Sequence, residues 1–184
     1  NVGDPVMRLK AFVLAALAVS VLFAGAGLAA SKQRLSIATG GTGGVFYPYG
    51  GGIARVLSKH VAGMQVTAEV TGGSVDNVKL VGAGEADIGL STVDSAHDAA
   101  NGTGAYKDTG PRDIRVIAVL YDSFVHVIAR ADSKITKVAH MKRKRVSVGS
   151  AGSSTEGVAD RLLAAAGLDP HKDVVRDNLG VSES

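Results

Sequence analysis

The run Ala38-Thr39-Gly40-Gly41-Thr42-Gly43-Gly44-Val45-Phe46-Tyr47-Pro48 sits where a short apolar segment, Leu35–Ala38, hands over to helical spacing at Ile53, Val56 and Leu57. Glycine admits positive φ and lets a ligand approach the backbone with no Cβ in the way. A helix that starts at such a turn presents N–H donors with partial positive charge. The stretch therefore predicts a strand–turn–helix unit whose turn suits an anion.

Two nucleotide motifs fail at this turn. A P-loop needs a Lys and a hydroxyl after its second glycine, and the chain supplies neither. The dinucleotide fingerprint fails at its last position, where Phe46 stands in place of the glycine that permits close helix–strand packing. Catalytic signals are equally thin. No Gly-x-Ser-x-Gly elbow occurs. His60, His97, His126, His140 and His171 are scattered without metal-ligand spacing, and His126, between Val125 and Val127, reads as a half-buried strand residue. Asp94 falls in the first turn of a helix, where the dipole favours a carboxylate. The chain reads as a non-enzyme without cofactor or metal.

The N-terminus reads as an export signal, residues 7–30. Met7 is the expected start, so Asn1–Val6 reads as upstream translation or a cloning scar. Arg8 and Lys10 precede the apolar run Ala11–Ala24, and small residues lead to a cleavage site placed after Ala30. A membrane span needs about 20 apolar residues, and this run is shorter. The net charge of +3 falls to +2 once Asp4, Arg8 and Lys10 are removed, too little for nucleic acid. The run Lys142-Arg143-Lys144-Arg145 reads as a solvated face. With no cysteine there is no disulfide, no thiolate and no lipid anchor at an N-terminal cysteine. The chain is expected in the periplasm.

Beyond the signal, strands and helices alternate. Strands are expected at Leu35–Ala38, Gln65–Val70, Ala86–Leu90, Ile114–Leu120, Phe124–Ala129 and Val146–Val148. Helices are expected at Tyr49–His60, at Val75–Ala83 with Ser74 as N-cap, from Ser91-Thr92 to about Ala100, at Lys137–Met141, and to Ala166. Ser153-Ser154-Thr155-Glu156 has capping-box spacing, and Gly167 suits the helix end. This order implies an α/β fold with a parallel-rich sheet flanked by helices. The loops at Gly40–Gly44, Thr71–Ser74, Ser91–Thr92 and Tyr121–Ser123 then share the C-terminal strand edge, where open α/β sheets bind ligands. Phe46 and Tyr47 cannot both point inward from a helix start, so one of them faces this mouth. Tyr121 ends an apolar strand at the same edge.

Ile37 to Pro48 resembles the opening motif of the TAXI family, the substrate-binding receptors of one class of TRAP transporters. Val66–Ser74, Gly84–Leu90, Asn101–Gly104 and Arg145–Gly149 with Gly152–Glu156 follow in the same order and spacing. The resemblance implies a type II periplasmic-binding-protein fold of two lobes that closes on a small organic anion and delivers it to a TRAP-type membrane permease. Lobe one is then 31–123, and 124–184 holds the hinge crossover and part of lobe two. Family members are usually much longer, so the end at Ser184 reads as a truncation that leaves lobe two incomplete. Arg143 replaces a glycine common in the family's Lys-Gly-Lys-Arg turn.

The expected ligand is a carboxylate or acidic amino acid, held by a monomer. The expected contacts are Thr42, Gly43, Gly44, Phe46, Tyr47, Ser91, Thr92 and Tyr121 from lobe one. Ser150, Ser153, Ser154 and Thr155 would present a helix N-terminus from lobe two. The alternatives are an exported sensory module feeding a signalling partner, or an exported enzyme using the same anion site.

Overall fold

The computed structural model describes residues 32–184, so the signal expected at 7–30 lies outside the described residues. The first sheet holds β1 (Gln33–Ala38), β2 (Met64–Glu69) and β3 (Ile88–Gly89) in the order β2-β1-β3. β1 and β3 run parallel, with Ile37 opposite Ile88 and Ala38 opposite Gly89. Just past β1, Thr39 N and Oγ1 both donate to the Glu69 carbonyl, at 3.0 and 2.6 Å. The ends of all three strands therefore lie together.

Three helices connect and follow these strands: α1 (Phe46–His60), α2 (Ser74–Ala83) and α3 (Val93–Asn101). α1 covers one core, in which Ile37, Ala54, Val66 and Leu90 are buried and Phe46, Ile53 and Leu57 pack against them. Gly50 belongs to this packing. A Cβ there would come within 2.5 Å of the Thr39 methyl group, so the helix lies against the strand end only because Gly50 has none. A second cluster joins α2, α3 and a 3₁₀ turn through Val78, Ala99 and Tyr106. Tyr106 is fully buried and satisfies its phenol by donating to the Val75 carbonyl at 3.2 Å, with Ser95 Oγ 3.4 Å away.

A second sheet pairs β4 (Arg145–Ser147) and β5 (Val175–Asp177) in parallel, with α4 (Ser154–Ala165) between them in the chain. Its core is Met141, Leu163, Leu168 and Val174. Beside it Arg176, only 15% exposed, pairs with Asp160 and with Glu156 at 3.0 Å. Its burial alone would lower the guanidinium pKa, but these carboxylates outweigh that and raise it.

The α/β class with parallel strands flanked by helices is as expected. Three local expectations are corrected. Ile114–Leu120 and Phe124–Ala129 form no strand, and Val116, Ile117, Val119, Phe124 and Ile128 are exposed. A strand exists only where a neighbouring strand takes up its backbone groups, and no described strand pairs with either segment. His126 is exposed with them. Ser74 is the first residue of α2 and not its cap, which is Gly73 at φ 126. Lys137–Met141 shortens to a 3₁₀ turn at Val138–Met141. Arg143 keeps the glycine-type turn itself, at φ 63.

Candidate functional site

The strand ends place three short connections side by side, and one buried hydroxyl ties two of them. Ser74 Oγ, freed from capping, accepts the Thr92 backbone N–H at 3.1 Å and lies 3.4 Å from Thr92 Oγ1. Ser91 Oγ donates to the Thr92 carbonyl at 3.0 Å. Asn77, also fully buried, donates through Nδ2 to the Leu90 carbonyl at 2.6 Å and accepts from Thr71 Oγ1 at 2.6 Å. The sequence reading passed over Asn77. Its only signal is an amide on the inner face of a helix, one turn from Ser74.

The loop ahead of α4 comes in from the second sheet and seals this edge. Ser154 Oγ lies 3.3 Å from Ser74 Oγ. The Gly152 carbonyl accepts from the N–H groups of Val75 and Asp76, at 3.0 and 3.1 Å. The first-turn donors of α2 are therefore used by the protein itself. Ser153 caps α4 as the sequence predicts, its Oγ accepting from Glu156 N at 3.4 Å. Ser150 accepts Ser153 N through its carbonyl at 3.1 Å, and Thr155 is exposed.

The glycine turn lies at the start of α1. Gly44 N donates to the Gly41 carbonyl at 2.9 Å, which closes the turn. Thr42 and Gly43 are exposed, and Gly44 is half-buried. Gly43 has no positive φ. A Cβ there would stand 3.0 Å from Ser182 Oγ, so this turn too faces the C-terminal residues. Val45 gives α1 no side-chain cap, and since Pro48 has no N–H, the first-turn donors it leaves for another acceptor are those of Phe46 and Tyr47. Phe46 packs onto the core, whereas Tyr47 is half-buried. Tyr121 stacks at 5.5 Å and 50° on Tyr49 in the first turn of α1. Burial pushes its phenol pKa up, and Tyr49 adds to the shift.

The expected residues thus gather in two places. Ser91, Thr92, Ser153 and Ser154 meet around Ser74 on the seam between the sheets. Thr42, Gly43, Gly44, Tyr47 and Tyr121 surround the start of α1. This is an array of hydroxyls, backbone N–H groups and phenols. No group of three or more His, Asp or Glu among the described residues is placed to hold a metal ion.

A profile of the NMT1-like family matches residues 37–184, which includes every residue of both clusters. The chain belongs to the NMT1-like family. Among solved structures, this family member is similar to the alkanesulfonate-binding protein SsuA from Xanthomonas axonopodis pv. citri bound to MOPS. The identity is 19% over 81% of this chain, with a TM-score of 0.49. The chain spans 48% of the length of that structure. No helix among the described residues is long and apolar enough to cross a membrane.

Proposed function

We propose that this NMT1-like protein is a periplasmic solute receptor that captures a small organic anion, a carboxylate or acidic amino acid. It passes the solute to a TRAP-type membrane permease, as its resemblance to the TAXI receptors implies. Residues 31–123 act as one lobe, and 124–184 supply the crossover and part of the other. The signal at 7–30 is removed on export. Binding is non-catalytic and uses no cofactor.

One observation carries the reading. At the start of α1 an exposed glycine turn adjoins helix N–H groups that have no side-chain cap, with Tyr47 and Tyr121 beside it. Uncapped helix-start donors suit a carboxylate, and glycines let it reach the backbone. The nearby surface offers hydroxyls and phenols, which hold a ligand without reacting with it.

Thermal melts and isothermal titration with succinate, glutarate, glutamate and aspartate test this. At least one anion is expected to raise the melting temperature in proportion to its occupancy. Gly43→Val is expected to abolish that binding while the chain stays folded. If the variant binds with unchanged affinity, the Gly40–Gly44 turn is purely structural and the proposed site is wrong.

A further inference from the structure

We propose that Arg161 is an electrostatic latch holding the two sheets closed on each other. It rises from α4, beside the second sheet, and reaches α3, which follows the first. Its Nη2 donates to Asp94 Oδ2 at 2.5 Å and its Nη1 to Asp98 Oδ2 at 3.1 Å. The two carboxylates are one helical turn apart, where like charges repel. A single planar guanidinium relieves that repulsion by serving both, which a point charge does less well. Asp98 is held for the purpose, since its Oδ1 accepts from Thr103 Oγ1 at 2.9 Å.

The other hydrogen bonds across the seam are neutral: Gly152 O with the N–H groups of Val75 and Asp76, and the hydroxyls of Ser74 and Ser154. The remaining ion pairs among the described residues stay on one side of it. They join Arg176 to Asp160 and Glu156, Arg145 to Asp177, Lys142 to Asp173 and Lys172 to Asp169, and two more lie within the segment 113–132. Arg161 therefore carries the coulombic part of the closed arrangement. Its side chain is 51% exposed, so salt reaches it. An ion pair this exposed adds little to the stability of a fold. An open–closed equilibrium near balance needs only a small bias, and that is what it supplies. The latch acts whether or not the anion site exists.

The chain has no cysteine, so labels at Lys59→Cys and Lys137→Cys, both exposed and on opposite sides, report the distance by pulsed electron spin resonance. At low salt the short-distance population is expected to predominate. Arg161→Gln should add a longer population, and so should Asp94→Asn with Asp98→Asn. Raising salt from about 50 mM to about 1 M should open the parent chain and leave Arg161→Gln unmoved. Arg161→Glu combined with Asp98→Arg should restore part of the short population. Circular dichroism checks folding; should Arg161→Gln not fold, the paired Asn variant decides. Identical distributions in parent and variants, or a salt response that persists in Arg161→Gln, overturn the latch.

Discussion

The side-chain amide of Asn77 donates to the Thr39 carbonyl at 2.5 Å, tying the first turn of α2 to the end of β1. The same nitrogen also donates to the Leu90 carbonyl, and the amide oxygen accepts from Thr71. One buried side chain thus fixes the exits of β1 and β3 and the connection between β2 and α2. Asn77→Leu leaves two buried carbonyls without a donor, and each unpaired group costs about 1–3 kcal/mol. Urea unfolding is expected to show a loss of about 2–4 kcal/mol. A loss under about 0.5 kcal/mol would mean that the two carbonyls find other donors.

Arg143 occupies the left-handed region at φ 63, with its N–H donating to the Asp173 carbonyl at 2.6 Å. A residue with a Cβ pays about 1–2 kcal/mol there. Arg143→Gly removes that strain but adds freedom to the unfolded chain, worth about 0.4–1 kcal/mol. The net expectation is a gain of about 0.5–1 kcal/mol by chemical denaturation. Arg143→Ala should give no such gain, and equal effects from both variants would locate the cause in the lost charge.

Gly152 combines φ +78 with contact against the Asp76 carboxylate, into which an added Cβ would run. Gly152→Ala is expected to lift its loop from the start of α2, at a cost of about 1–3 kcal/mol. Amide exchange should accelerate at Val75 and Asp76, whose N–H groups lose their acceptor, while Leu163 on α4 stays protected. Unchanged exchange at both amides would show that the loop yields without leaving α2.

Burial holds the Tyr106 phenol above its ordinary value, with the Ser95 hydrogen bond pulling the other way. The unfolded chain ionises at about pH 10, where the folded chain still keeps its proton. Above that pH the unfolded state binds fewer protons, so stability falls as pH climbs through the folded value. Melting temperatures taken across that window should drop less steeply in Tyr106→Phe. The variant should lose about 1 kcal/mol at neutral pH for the missing bond to Val75. Parallel alkaline limbs would assign the drop to another group.

Local chemistry was legible in the sequence, and long-range partnership was not. The Ser153–Glu156 cap spans one turn, so its spacing alone declares it. Ser74 lacks that Glu and reads as a cap only because it is a serine after a glycine turn; its hydroxyl turns to Thr92, which only the β1–β3 pairing brings near. Asn77 was missed for the same reason, because its partners are 38 and 13 residues away. Ile114–Leu120 and Phe124–Ala129 read as strands because composition reports what a segment would bury, not whether a partner is there. Gly50 falls inside the expected helix, where the sequence shows no reason for a glycine; the reason is the Thr39 methyl group against which the helix packs.

With four tyrosines and no tryptophan, the chain has no indole to dominate its emission. Three of those tyrosines, Tyr47, Tyr49 and Tyr121, cluster at the start of α1, and only Tyr106 lies elsewhere in a buried core. The protein therefore carries an intrinsic optical reporter at its glycine turn. Separation of the Tyr49–Tyr121 stack changes ring-to-ring energy transfer and hence the fluorescence anisotropy, so movement at the mouth can be followed in the unmodified chain.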